Sequence, residues 1–286
     1  MFDISVNSTP MPHIWIQVDG GVSVSTPIDA YIPINAGAYG KHIVRVIYKS
    51  SVEAFSRWYA PRHGKICFIG FCSDKPLPIE PDERPVIEFV GDSITEGVLT
   101  DADYFGGGKP YYDIDQMNRP HQDDVCATYA WRTAENLNMR PIFMGYGAVG
   151  VTKSGQGRVP AAPQAYPYNM DGSPITHKSA DVIMINHGAN DKGARPEVYT
   201  EKYGELLDVI RKMNPEATVI SLSAFCGAYH TELGEFIEKY NAENGCLVHY
   251  IDSNGWISPE PLHPYRDGHR TVAENLTAEM KKIING

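Results

Sequence analysis

The residues with the clearest chemical potential are one serine and one histidine far apart in the sequence. Ser93 follows the apolar run 86–90 through Gly91-Asp92, a composition typical of turns. A serine at the carboxyl end of a strand lies where open α/β sheets place their ligands. His263 precedes the last helical pattern of the chain. Because a serine nucleophile needs a base, normally a histidine, this pair is suited to acyl transfer.

Two further residues are suited to stabilising the oxyanion that acyl transfer creates. Gly150 ends a glycine-rich stretch after the apolar run 141–144, and Asn190 follows the run 180–186. Glycine lets the backbone approach closely, and asparagine donates hydrogen bonds from its side chain. Ordinary roles are the alternative: a helix cap for Ser93 or Asn190, a turn for Gly150, and packing for His263.

Strands and helices alternate from residue 86 to the end of the chain. Apolar runs predict strands at 86–90, 141–144, 180–186, 218–223 and 247–251. Helical spacing predicts helices at 125–137, 197–213, 233–241 and 270–284. This alternation favours an α/β fold with a parallel sheet and helices on both faces. The four candidate residues all come just after predicted strands.

The first 72 residues have a β pattern instead. Residues 13–18 and 43–48 alternate apolar and polar side chains, and 66–71 is a third apolar run. We expect a small β-sandwich or jelly-roll-like domain over residues 1–80. Residues 73–85 contain four prolines, which favours an extended connector. The catalytic domain is then expected at 81–286.

Composition excludes several classes of partner. The chain has 286 residues, a formal net charge of −10 and no long basic run, so nucleic acid and anionic membranes are not expected. No stretch approaches the ~18 apolar residues of a membrane span. The N-terminus shows no signal pattern, which predicts a cytoplasmic protein, or a secreted one if a signal precedes this sequence. Five scattered cysteines without a C-x-x-C motif fit a reducing compartment.

The sequence predicts no cofactor and no metal. Residues 145–150 match G-x-G-x-x-G, but residues 152–160 cannot form the helix that a dinucleotide site requires. His121, Asp123 and Asp124 could suggest a metal site, yet nothing in their spacing fixes a coordination geometry. A solvated loop is the preferred interpretation of these three residues.

Four short blocks carry a resemblance to a known family. In order, they resemble blocks of the GDSL or SGNH hydrolases: Gly91-Asp92-Ser93-Ile94-Thr95, Gly150-Val151-Thr152, Gly188-Ala189-Asn190-Asp191 and Leu262-His263-Pro264. The resemblance covers residues 85 to 286. It implies a flavodoxin-like three-layer fold, with Ser93 as nucleophile and His263 as base. It also implies an oxyanion hole formed by the N–H groups of Ser93 and Gly150 and by the side chain of Asn190.

One position departs from the family pattern. The family usually has an aspartate three residues before the histidine, and this chain has Glu260 there. We expect Glu260 to orient His263. The alternative is a surface carboxylate and a Ser93–His263 dyad, in which a backbone carbonyl holds the histidine. The prolines on both sides of Glu260 restrict how its side chain can turn inward.

The β region and its connector resemble carbohydrate esterase family 2, mainly through domain order and the run 68–71. This resemblance implies a cofactor-free serine esterase that removes O-acetyl groups from a carbohydrate. Tyr104, Tyr111 and Trp256 could stack on sugar rings, and packing is their alternative role. The other functions considered are a short-chain lipase or acyl-thioesterase, and a non-catalytic carbohydrate-binding protein. The sequence leaves open whether the chain forms a homo-oligomer.

Overall fold

A three-stranded antiparallel sheet forms the N-terminal part of the computed structural model, which describes residues 1, 10–105, 119–176 and 179–284. Its strands are β1 (His13–Val18), β2 (Val24–Pro27) and β3 (Val44–Ser50), in the order β2–β1–β3. The sequence analysis predicted β1 and β3 but not β2.

The predicted strand at 66–71 is wrong. This run contains only an isolated bridge at Phe68, and Phe68, Ile69 and Phe71 are all exposed. An apolar run becomes a strand only where a partner strand and a core receive it. The neighbours of β1 are β2 and β3, and the Ile69 N–H of the run donates to the Met1 carbonyl at 3.0 Å.

The part of the chain from residue 86 onward is built on one parallel sheet. Along the chain its strands and a short hairpin are β4 (Val86–Gly91), β5 (Arg140–Gly145), the hairpin strands β6 (Tyr168–Met170) and β7 (Ser173–Pro174), β8 (Val182–Asn186), β9 (Thr218–Leu222) and β10 (Val248–Ile251). The sheet order is β10–β9–β8–β4–β5. Counted within the sheet this is the order 2-1-3-4-5, so the predicted flavodoxin-like fold is confirmed.

The three strands around β4 end at the same level. Gly91 at the end of β4 pairs with Gly145 of β5 on one side and with Asn186 of β8 on the other. All six residues of β4 are buried, as expected for a parallel strand that is covered on both faces. The loops that follow these strands therefore leave the sheet side by side.

Helices cover both faces of the sheet. They are α1 (Ser93–Glu96), α2 (Ala102–Phe105), α3 (Arg119–Gln122), α4 (Tyr129–Asn136), α5 (Ala162–Ala165), α6 (Pro196–Met213), α7 (His230–Asn244) and α8 (Arg266–Ile284). One apolar cluster packs α6 and α7 on the sheet, and a second packs α4 and α8 on its other face. Among the described residues no helix has the length and apolar character needed to cross a membrane.

The segment after β3 packs into the core of the parallel sheet. Trp58 is 3% exposed and belongs to the same apolar cluster as Val86 and Val90 of β4. Its ring also meets Tyr146 edge-on, with ring centroids 6.0 Å apart. A residue before the predicted boundary at 80 and 81 thus contributes to the core that lies after it. The boundary itself stays a prediction.

We expect Trp58→Ala to lower the free energy of unfolding of the catalytic part by about 3–5 kcal/mol, because it opens a cavity under β4. Urea unfolding followed by far-UV circular dichroism measures this loss. Tyr39→Ala is the control, since Tyr39 is 98% exposed, and it should change stability by no more than about 0.5 kcal/mol. Equal unfolding of the two variants would contradict the packing role of Trp58.

Candidate active site

Ser93 and His263 form a hydrogen-bonded pair although 170 positions separate them in the sequence. Ser93 Oγ lies 2.8 Å from His263 Nε2. Ser93 is the first residue of α1, and the Asp92 carboxylate caps this helix by accepting from the Ile94 N–H at 2.9 Å. A hydroxyl and an imidazole at this distance fit activation of a nucleophile by a general base. The structure thus brings the predicted nucleophile and base together.

The environment of His263 keeps its imidazole neutral. Burial, the largest cause, and the positive charge of Arg119 together lower the pKa of His263 to about 4, against the opposing negative charge of Glu96. Only the neutral ring can accept the proton of Ser93. Burial therefore favours the neutral form of His263, which a base requires.

Gly150 lies in the buried loop after β5. A Cβ atom at this position would lie 2.4 Å from Asp191 Oδ1, so any other residue would displace that carboxylate. In this structure the Gly150 N–H donates to the carbonyl of Lys153 at 3.1 Å. Its role as an oxyanion donor stays a prediction.

Asn190 lies in a short 3₁₀ turn directly after β8 and reaches the residue before the nucleophile. Its Nδ2 donates to Asp92 Oδ2 at 3.0 Å and to the carbonyl of Val149 at 3.1 Å. Burial raises the pKa of Asp92 to about 7, and the Ile94 N–H partly offsets this rise. Both N–H bonds of the Asn190 amide already have acceptors, so a substrate oxyanion would have to share or replace one of them. The role of Asn190 as an oxyanion donor also stays a prediction.

The sequence analysis gave Asp191 no role of its own. Its carboxylate accepts from the Thr152 N–H at 2.8 Å, from Thr152 Oγ1 at 2.6 Å and from the Val151 N–H at 3.2 Å. Asp191 therefore ties the turn that carries Asn190 to the loop that carries Gly150. The available signal was its place immediately after Asn190 in the same block.

Glu260 is exposed. Its backbone N–H donates to Ser258 Oγ at 3.2 Å. Within the part of the chain that the structure describes, no hydrogen bond or ion pair joins its carboxylate to His263. Its assignment as the orienting acid stays a prediction, and the structure shows no contact through which it would act.

The three aromatic candidates for sugar stacking have different positions. Trp256 is half-buried and packs against the cluster that contains Phe225 and Ile251. Tyr104 belongs to α2, and Tyr111 lies outside the described residues. The structure therefore supports packing as the role of Trp256.

The carboxylates considered for a metal have other partners. Asp123 pairs with the buried guanidinium of Arg119 at 3.3 Å. Asp124 accepts from Trp15 Nε1 at 3.0 Å and from Arg266 at 2.8 Å. No group of three or more His, Cys, Asp or Glu side chains in the described ranges is arranged to hold a metal ion.

A cavity of about 630 Å³ lies between the N-terminal sheet and the start of α8. Trp15 and Lys49 line it on one side and Arg266 on the other, whereas Ser93 and His263 do not belong to its described lining. Lys49 donates to three backbone carbonyls around α3, and Arg266 pairs with aspartates. Because these cationic groups already have protein partners, we assign the cavity no role.

We expect kcat/KM for ester hydrolysis to fall only when the pH drops through about 4, since protonation of His263 removes the base. Initial rates with an aryl acetate across the acidic range test this. Intrinsic fluorescence at each pH controls for acid unfolding. A limb near 6.5, the ordinary pKa of histidine, would show that burial does not govern this group.

We expect Glu260→Gln to lower kcat by less than about tenfold, because the Glu260 carboxylate is exposed and does not contact His263. Glu243→Gln on the surface of α7 is a matched control, as this side chain is 62% exposed. A loss approaching the ~10⁴-fold seen when a triad acid is neutralised would instead establish Glu260 as the orienting acid.

The chain is 26% identical to the cellulase/esterase CelE of Acetivibrio thermocellus over 246 residues, which are 77% of this chain and 28% of that protein. The chain thus spans little more than a quarter of the length of this relative.

Two solved structures share the fold. A family two carbohydrate esterase from Clostridium thermocellum in complex with cellohexaose has a TM-score of 0.75 at 22% identity, over 98% of this chain and 88% of that chain. An acetyl xylan esterase from the rumen bacterium Butyrivibrio proteoclasticus has a TM-score of 0.72 at 17% identity, over 98% of this chain and 86% of that chain. Residues 89–271, which contain Ser93, Gly150, Asn190 and His263, match the GDSL-like Lipase/Acylhydrolase family, and the chain therefore belongs to that family.

Proposed function

We propose that this protein is a serine esterase that removes acetyl groups from an acetylated carbohydrate. The observation that carries the proposal is the 2.8 Å contact between Ser93 Oγ and His263 Nε2 at the carboxyl edge of the sheet. Family membership independently supports ester hydrolysis. The reaction needs no group beyond the protein and water.

The chemistry follows from the pair. As Ser93 Oγ attacks the acyl carbon, His263 Nε2 accepts its proton, and the imidazolium then gives this proton to the departing sugar oxygen. Water attacks the acetyl-serine in the second half, again with His263 as the base, and releases acetate and free Ser93. The Ser93 N–H belongs to the first turn of α1, where no intrahelical acceptor exists, and it joins Asn190 and Gly150 as a candidate oxyanion donor.

The names of similar proteins and the ligand of one of them support a carbohydrate substrate. One relative is named a cellulase/esterase, one similar structure holds cellohexaose, and another belongs to an acetyl xylan esterase. These structures align with 98% of this chain, so the likeness includes its N-terminal part. We further propose that residues 1–80 form a β-sandwich domain resembling that of carbohydrate esterase family 2. We also propose a cytoplasmic location.

Ser93→Ala should lower kcat/KM by more than about 10²-fold without unfolding the protein, because only the nucleophile is removed and the residue sits at a turn. Acetate release from acetylated xylan, mannan and pectin measures activity, and thermal unfolding measures folding. Thr271→Ala on the exposed face of α8 is the control. A Ser93→Ala enzyme that keeps more than about a hundredth of the activity is not a Ser93 esterase.

The same assays separate the other functions. A rate that rises along an acyl series from acetate to octanoate would favour a short-chain lipase or acyl-thioesterase. Binding of oligosaccharide without any acetate release would favour a non-catalytic carbohydrate-binding protein. Preference for acetate together with release from one polysaccharide supports the proposed function.

A further inference from the structure

The serine helix is tied to the glycine loop through Glu96. Glu96 is the last residue of α1, and its Oε2 accepts from the Gly147 N–H at 2.7 Å. Gly147 opens the loop that ends at Gly150, and Ala148 between them has a left-handed φ of 58°. A left-handed alanine is held only by its surroundings, so this loop depends on outside contacts for its shape.

The N-terminal region supplies one of these contacts. Arg57, from the segment after β3, forms a two-point ion pair with Glu96, in which Nη2 lies 3.0 Å from Oε2. The two side chains are 14% and 17% exposed. A paired guanidinium and carboxylate with little access to water make a strong and directional contact.

Arg57 is also anchored to the glycine loop. Its backbone N–H donates to the carbonyl of Gly157 at 3.1 Å, and its guanidinium carbon lies 5.6 Å from the ring centroid of Tyr146. A Cβ atom on Gly157 would lie 2.7 Å from Arg57 Cγ, so the absence of a side chain at Gly157 leaves room for the Arg57 side chain. Arg57 therefore contacts Tyr146 before Gly150 and Glu96 of α1 through its side chain, and Gly157 after Gly150 through its backbone.

Glu53 adds a second contact from the same segment. Its carboxylate fills the space where a side chain on Gly147 would stand, with Oε2 only 1.8 Å from the ideal Cβ position. Glu53 Oε1 also lies 3.3 Å from Arg119 Nη2. Arg119 and Glu96 both carry charges that act on His263, and each has a partner from the N-terminal region.

We propose that Arg57 is a positioning residue of the active site, which fixes the serine helix against the loop of Gly150 through its ion pair with Glu96. The inference rests on the proposed esterase function. It makes the segment after β3 part of the catalytic apparatus, in addition to any role in binding carbohydrate. Arg57 itself touches neither Ser93 nor the reacting atoms.

The test is Arg57→Met in the full chain, assayed with an aryl acetate. We expect kcat to fall between about tenfold and 10²-fold with KM within about threefold, because a misplaced oxyanion loop weakens transition-state binding. We also expect the acid limb of kcat/KM to move upward by about one pH unit, since Glu96 without its partner raises the pKa of His263. Arg57→Lys should recover part of the loss.

Arg84→Met is the matched control. Arg84 forms the same kind of pair with Asp82, but in the exposed stretch before β4. This variant should keep kcat within about twofold of the wild type. Its acid limb should stay within a few tenths of a pH unit. The burst of p-nitrophenol in the first turnover counts the folded, active sites, so a loss of folded enzyme does not enter kcat.

Arg57→Met combined with Glu96→Gln keeps the inference testable if the single variant folds poorly. Without the unpaired carboxylate the double variant should regain thermal stability and return the acid limb toward that of the wild type, while kcat stays low. If Arg57→Met keeps the wild-type kcat per active site and the acid limb of kcat/KM does not move, the positioning role of Arg57 is overturned and the proposed function is not. An inactive wild-type enzyme would overturn the proposed function and this inference together.

Discussion

The active site depends on the register of three parallel strands. Gly91 of β4 pairs with Gly145 of β5 and with Asn186 of β8, so all three strands stop at one level of the sheet. The hydrogen bonds of the ladder leave no freedom to slide one strand without breaking its neighbours. The backbone of the sheet therefore brings Ser93, the glycine loop and the turn of Asn190 to one place.

Side-chain contacts then fix the loops that follow these strands relative to one another. Asn190 reaches Asp92, Asp191 reaches Thr152, and Glu96 reaches Gly147. Each contact joins a different pair of loops, and each uses a carboxylate. Burying several carboxylates together is costly unless donors surround them, which is consistent with the raised pKa of Asp92.

The N-terminal region supplies positive charge close to these carboxylates. Arg57 pairs with Glu96, and Lys49 donates to three backbone carbonyls around α3. Removing one partner of a buried pair leaves an uncompensated charge and is strongly destabilising. The small sheet and the catalytic part are thus joined by charge pairing as well as by the apolar contact of Trp58. Stability of this junction and geometry of the active site depend on the same residues.

The sequence by itself determined the alternation of strands and helices and four residues of the candidate site. Burial on both faces makes the strands of a parallel sheet continuous apolar runs, and the helices show their own period, so both are visible locally. The distance between Ser93 and His263, the exposure of Glu260 and the contacts of Asp191 and Arg57 were decided only by the tertiary structure. These features join segments far apart in the chain, and their side chains follow no local period. The run 66–71 failed as a strand for the same reason, because pairing depends on which neighbour the fold provides.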